Sequence, residues 1–130
     1  MNLISSTFND LLQIIAAGWH EGNGRTAVDC FGQEAVYIEP PEKELYHGHS
    51  ELSEFFGRDS SPDIVMKMTW HHLVFNEEEQ IGFGEYTFEM HRRFHGIVMV
   101  KTEIGLIKQW REYQCPTELN WEEFTSHNPY

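Results

Sequence analysis

The sequence predicts an α+β fold, a curved antiparallel sheet forming a cone around N-terminal helices. Three observations carry that expectation. Apolar residues recur at helical spacing early in the chain and at strand spacing later, so helices and strands are grouped instead of alternating. The length of 130 residues suits a single domain, 1–130, with one core. From Trp70 to Gln114 the chain reads as consecutive strands with both faces partly apolar, yet Glu85, Glu89 and Glu112 sit among them. With Tyr37-Ile38-Glu39-Pro40 upstream, this suggests a curved sheet wrapped around a pocket lined with carboxylates. A carboxylate in an apolar cavity holds its proton more tightly and suits general acid or base work.

Each element follows from local pattern. Leu3, Ile4, Phe8, Leu11, Leu12, Ile15 and Trp19 lie three and four apart, the mark of an amphipathic helix that Ser5, Ser6 or Thr7 caps and Gly22-Asn23-Gly24 ends. Arg25 to Phe31 reads as a short second helix. Glu34 to Glu39 reads as a strand stopped at Pro40-Pro41, because proline cannot donate to a ladder. Glu42 to His47 is a turn with a short return strand. Leu52, Phe55 and Phe56 form the apolar stripe of a third helix, Ser50 to Phe56, followed by a polar loop from Arg58 to Asp63. Ile64 to Phe75 alternates as a strand, with Met66, Met68, Trp70, His72 and Val74 on one side. Gln80 to His91, Phe94 to Thr102 and Leu106 to Gln114 complete a meander, and Thr117 to Ser126 reads as a C-terminal helix carrying Leu119, Trp121 and Phe124.

Composition excludes some partners. A formal net charge of −12 repels phosphate backbones and anionic membrane surfaces, so neither nucleic acid nor membrane is expected as a partner. No stretch approaches the roughly 20 apolar residues of a membrane span, and the start lacks a basic region before a long apolar run. Cys30 and Cys115 are far apart and in no metal-type spacing, which suits a reducing, cytoplasmic setting.

Register nominates the candidate site residues. Tyr37 and Glu39 share one strand face, opposite Val36 and Ile38. If that face looks into the cone, Glu39 is a buried carboxylate; otherwise it is a strand-end charge in solvent. Glu112 shares a face with Trp110 and Gln114, and its alternative role is a cross-strand ion pair. Glu85 shares a face with Phe83, Thr87 and Glu89, opposite the apolar row Tyr86, Phe88 and Met90. Simple alternation turns that row inward and Glu85 outward. The eight histidines give no three-ligand set on one scaffold, so no metal is expected. His72 is a candidate hydrogen-bonding group for the pocket or a satisfied core histidine. Trp19, Trp70 and Trp110 are candidates to roof a cavity for a flat ligand, or core filler.

The chain resembles the nuclear transport factor 2-like superfamily of α+β cones, and within it the SnoaL-like branch of polyketide cyclases. Ketosteroid isomerase and limonene-epoxide hydrolase are enzymatic cousins of that branch. The resemblance rests on Trp19, on Ala35-Val36-Tyr37-Ile38-Glu39-Pro40, on Gly48 leading into Leu52, Phe55 and Phe56, on Gly84-Glu85-Tyr86-Thr87-Phe88, and on Gly105-Leu106-Ile107 leading into Trp110-Arg111-Glu112-Tyr113. The isomerase likeness implies a proton-shuttling role for Glu39, which stands before a proline as that enzyme's aspartate does. The oxyanion tyrosine of its first helix has no match here, since Phe8 and Leu12 cannot donate. Its partner acid falls near Gly96 and Ile97. The hydrolase likeness places Tyr37 and Glu39 where a tyrosine and an asparagine hold the water, and Glu112 where the water-activating aspartate stands. That enzyme's arginine and second aspartate fall on Glu85 and Thr87. The superfamily register implies that Glu85 faces the pocket and that the row of Tyr86, Phe88 and Met90 forms an interface.

Two functions follow as expectations. One is an isomerase, cyclase-type lyase or hydrolase that uses no cofactor, acting on a small apolar or aromatic, carbonyl-bearing molecule through Glu39, Glu112, Tyr37 and Glu85. The other is a non-catalytic module of the same fold that holds a ligand or supports dimerisation. Strands with two apolar faces also predict a homodimer through the outer sheet face, centred on Phe88 and Met99.

Overall fold

The computed structural model describes residues 1–39, 44–58 and 66–130, with only the backbone described at Glu44 and Arg58. Helix α1 spans Ser5–His20, α2 Gly24–Val28 and α3 Gly48–Arg58, and α4 is a single turn, Trp121–Phe124. Six strands among the described residues form one sheet: β1 Phe31–Glu39, β2 Glu44–His47, β3 Lys67–Asn76, β4 Ile81–Glu89, β5 Arg93–Glu103 and β6 Leu106–Pro116. Their spatial order is β2-β1-β6-β5-β4-β3. The fold class is α+β. The sheet is mixed where a purely antiparallel one was expected, because β1 runs parallel to β6, with Tyr37 opposite Trp110. A hairpin cannot make such a pair. The long excursion between β1 and β6 supplies the crossover it needs.

Local chemistry moved several boundaries. Helix α2 stops after little more than one turn. Its N-cap Asn23 accepts from the Thr26 amide, and Phe31 leaves the expected helix to open β1 against Ile107. Gly48 enters α3 at φ +84°, a left-handed geometry that favours glycine. Helix α4 is shorter than the expected Thr117–Ser126 because Asn120 and Glu123 cap each other in a reciprocal box at its start. The proline stop at Pro40-Pro41 and the expected strand start at Ile64 lie outside the described residues.

The core lies between the helices and the inner sheet face. Phe8, Leu12 and Ile15 on α1 are fully buried, as are Leu52 on α3 and Ile107 on β6. Glycines on the inner face admit large rings from above. A Cβ at Gly82 would lie 2.3 Å from the Phe8 ring, and one at Gly84 would lie 2.5 Å from the Trp70 ring. Phe8 fills its slot stacked on Phe75, and the Trp70 indole N–H donates to the Leu12 carbonyl at 2.9 Å, tying β3 to α1.

A bulge in β3 between Trp70 and His72 changes which residues face inward. Before it, Met68 and Trp70 point to the core. After it, Leu73 and Phe75 do, and His72 and Val74 turn out, with Val74 62% exposed. The single face expected for Trp70, His72 and Val74 is therefore split.

Candidate active site

Glu112 stands at the centre of β6, on the inner face, fully buried. It is there because β6 alternates. Trp110 and Gln114 share its face, and the exposed Arg111 and Tyr113 take the other. Two donors and a further hydroxyl converge on its carboxyl group. Tyr37 on the adjacent parallel strand donates its hydroxyl to Oε1 at 2.5 Å, and the Trp110 indole N–H donates to the same oxygen at 2.7 Å. The Tyr37 and Trp110 rings stack at 5.6 Å and 8°, which fixes both donors. The Tyr86 hydroxyl lies 3.3 Å from Oε2 and 2.7 Å from Gln114 Oε1.

Tyr86 sits on β4, two strands away from Glu112. It reaches β6 by lying across β5 at Gly96, where any Cβ would come within 2.8 Å of its hydroxyl. With the Gln114 amide oriented as it is, the shorter contact takes the single hydroxyl proton of Tyr86. The Tyr86 oxygen is then left as an acceptor facing Glu112 Oε2. Oε1 already accepts twice, so Oε2 is the natural seat of a proton on Glu112.

Burial pushes the Glu112 carboxyl above the usual carboxylate range, and the hydrogen bonds from Tyr37 and Trp110 only partly offset it. Burial also raises both tyrosine hydroxyls, with the Glu112 charge adding to it. Both phenols therefore stay protonated and serve as donors.

Glu112 forms part of the wall of a cavity of about 180 Å³ on the inner face. Tyr37, Glu39 and Gln114 share that wall. Trp19, Phe55, Phe56 and Phe88 supply rings, and Met66, Met68, Met90 and Phe94 complete it. The half-buried Glu39 ends β1 two residues beyond Tyr37 on the same face. Two carboxyl groups thus meet one small, mostly apolar space. Trp19 contributes its ring, and its indole nitrogen is buried with no hydrogen-bond partner among the described residues.

Other nominated residues lie elsewhere. Trp110 is behind the wall, 1% exposed, and acts through its bond to Glu112. Trp70 is packed edge-on against Tyr86 and Trp110, away from the cavity. Glu85 and His72 are on the outer face, corrected from the pocket. They pair with each other at 2.9 Å, and the Tyr130 ring stacks on His72. Thr87 is also outside, bridging His71 and His95 at 2.7 and 2.9 Å beneath Trp121 of α4. Simple alternation gave β4 its true register. Tyr86 and Phe88 face in, so Phe88 cannot centre an outer interface. Tyr86 and Gln114 are the functional candidates the sequence reading passed over. The signal for Tyr86 was its place in the apolar row with Phe88. Among the described residues no three His, Cys, Asp or Glu side chains converge as a metal would require. No described helix is long and apolar enough to cross a membrane.

No family model matches this sequence, and no curated protein matches it. Solved structures do. A protein of unknown function with a cystatin-like fold from Methylobium petroleophilum matches with a TM-score of 0.78 at 17% identity, over 93% of this chain and 84% of that one. The chain has the cystatin-like, nuclear transport factor 2-like fold. An epoxide hydrolase of M. tuberculosis resembling limonene-epoxide hydrolase shares this nuclear transport factor 2-like fold. It matches at a TM-score of 0.72 and 13% identity, over 85% of this chain and 84% of that one. An epoxide hydrolase/cyclase-like enzyme, SalBIII, with a role in pyran ring formation in the polyether salinomycin, matches at 0.72 and 16% identity, over 85% and 92%. The nuclear transport factor 2-like fold hosts many chemistries, so the function must be argued from the site itself.

Proposed function

We propose that the protein is an acid–base catalyst that moves a proton on a small, mostly apolar substrate carrying one carbonyl or epoxide oxygen. The observation that carries this is Glu112, a fully buried carboxyl with a raised proton affinity in the wall of an apolar cavity that it shares with Glu39. A carboxyl held above its ordinary range by burial is suited to general acid–base work. Tyr37 and Trp110 hold Oε1 and fix the carboxyl plane, which leaves Oε2 to give or take the proton. Protonated Glu112 gives its proton to the substrate oxygen as a ring C–O bond opens or a carbonyl enolises. The Glu39 carboxylate takes one from carbon, from water or from an attacking hydroxyl. The net charge of the pair is conserved. The hydrolase and cyclase names of two structural neighbours agree with this chemistry.

One observation favours a second reading, ligand binding without turnover: both Glu112 oxygens already have protein partners. Assay of a panel of small cyclic epoxides and β,γ-unsaturated ketones separates the two. Hydrolysis, cyclisation or double-bond migration that disappears in Glu112→Gln is expected. Ligand binding in the cavity with no turnover of any panel member would leave the binding role.

We also propose two-fold pairing through the outer sheet face. Phe83, Ile97 and Tyr113 are 46%, 45% and 58% exposed on adjoining strands around the buried Met99. Covering such a patch is worth about 25 cal/mol per Å². Sedimentation equilibrium is expected to return twice the 15.3 kDa chain mass at micromolar concentration. A single-chain mass, or a dimer unaffected by Ile97→Lys, would refute pairing through this face.

A further inference from the structure

The hydrogen bonds around Glu112 leave one donor of the cavity wall unused. Tyr37 donates its single hydroxyl proton to Glu112 Oε1, and the Trp110 indole N–H goes to the same oxygen. Tyr86 donates to Gln114 Oε1 at 2.7 Å. Gln114 is half-buried and lines the cavity, two residues beyond Glu112 on the same face of β6. Its oxygen is taken by Tyr86. The NH2 end of the amide, with two donors, has no hydrogen-bond partner among the described residues. The Trp19 indole N–H is also unpaired, but it is enclosed in the wall. Gln114 is therefore the neutral donor that the wall presents to the cavity.

The protonated form of Glu112 sets the sense of that amide. A proton on Oε2 faces the Tyr86 oxygen at 3.3 Å, so Tyr86 must give its own proton elsewhere, and Gln114 Oε1 is the acceptor in reach. The reverse orientation of the amide would leave the Tyr86 proton without an acceptor. Gln114 thus offers its NH2 in the same state in which Glu112 is ready to act as an acid.

We propose that Gln114 sets specificity by donating to a second, non-reacting oxygen of the substrate. The substrate class is then an apolar molecule whose carbonyl or epoxide oxygen has an ether, hydroxyl or keto oxygen two or three carbons away. The proposal rests on the acid role of Glu112 and narrows what that acid acts on. Spacing favours two oxygens over one. Residues i and i+2 leave a strand about 6.5 Å apart, and Gln114 turns its oxygen to Tyr86 and its nitrogen away. A second oxygen a few bonds from the first spans that gap better than a single atom bound to Glu112. The cavity of about 180 Å³ suits one small ring carrying both.

NMR titration of the isotope-labelled full chain with tetrahydropyran-4-one and with cyclohexanone tests this. One ring oxygen replaces a methylene, so shape is matched and the second acceptor is what differs. The affinity ratio of the ether ketone to cyclohexanone is expected to be about fivefold higher in the wild type than in Gln114→Met, which keeps the side-chain length and removes the amide. The Gln114 side-chain NH2 signal is expected to move with the ether ketone and to stay near its free position with cyclohexanone. Tyr86→Phe releases the amide from its anchor and is expected to lower the ratio too, which gives a second reading should the methionine variant fail to fold. A merely structural role of Gln114 would weaken both ketones together and leave the ratio unchanged. A ratio unchanged in the folded variant, an NH2 signal that moves alike with both compounds, or binding of neither would overturn the inference. The ratio reads binding and not turnover. A ratio that falls as expected while no panel substrate turns over would remove the acid role of Glu112 and keep the Gln114 contact. Turnover that is lost in Glu112→Gln, together with an unchanged ratio, would do the reverse.

Discussion

Glu112→Gln is expected to lower turnover about a hundred- to ten-thousandfold, the range that a single positioned proton donor contributes. The variant keeps the shape of the side chain, and its amide oxygen still accepts from Tyr37 and Trp110, so the sheet is expected to fold. What it loses is the exchangeable proton. The same variant carries a stability signature. A carboxyl whose affinity for the proton is higher in the folded state than in the unfolded chain stabilises the fold most when both are protonated. That advantage fades as pH rises from the ordinary ~4.3 through the raised folded value. Wild-type stability is therefore expected to fall across that window, and the glutamine variant is expected to lack this component of the decline. Urea melts at a series of pH values measure it. Parallel curves for the two proteins would show that Glu112 is not held above its ordinary range.

Gly82→Ala is expected to destabilise the fold by about 1–3 kcal/mol, the usual cost of forcing a methyl into a filled core. The new Cβ would lie 2.3 Å from the Phe8 ring, and Phe8 has nowhere to go. It is fully buried and stacked on Phe75 at 4.4 Å and 17°. Adding Phe8→Leu to the same chain removes the obstructing ring edge, so the double variant is expected to cost less than the sum of the two single ones. A Gly82→Ala protein with an unchanged denaturation midpoint would mean that α1 does not seat on β4 as described.

Much of this architecture was legible from residue spacing. The 3–4 periodicity of Phe8, Leu12, Ile15 and Trp19 placed α1, and alternation put Tyr37 with Glu39 and Glu112 with Trp110 on shared strand faces, without deciding that those faces look inward. The parallel pairing of β1 with β6 was not legible, because which strands become neighbours depends on how a long crossover closes and not on any local pattern. The β3 bulge was equally hidden. One extra residue between Trp70 and His72 reverses every later side chain, and nothing in Trp70-His71-His72 announces it. On β4 two signals disagreed. The apolar row of Tyr86, Phe88 and Met90 pointed inward, and the superfamily register pointed it out. The row prevailed, since burying those side chains is favourable and taking the Glu85 charge out of water is not. The role of Tyr86 depends on Gly96, whose missing side chain clears the path across β5. A glycine in a strand is a visible signal, although the residue that uses its space is not.

The central claim is that Glu112 is a proton-exchanging group set by its burial beside Tyr37, Trp110 and Tyr86. Carbon NMR of the labelled Glu112 carboxyl across a pH titration tests it directly. The account predicts a titration above the ~4.3 of a free glutamate, and a higher value still in Tyr37→Phe, because the Tyr37 hydrogen bond stabilises the charged form. A Glu112 that titrates at or below the ordinary value, or one that Tyr37→Phe leaves unmoved, would contradict it.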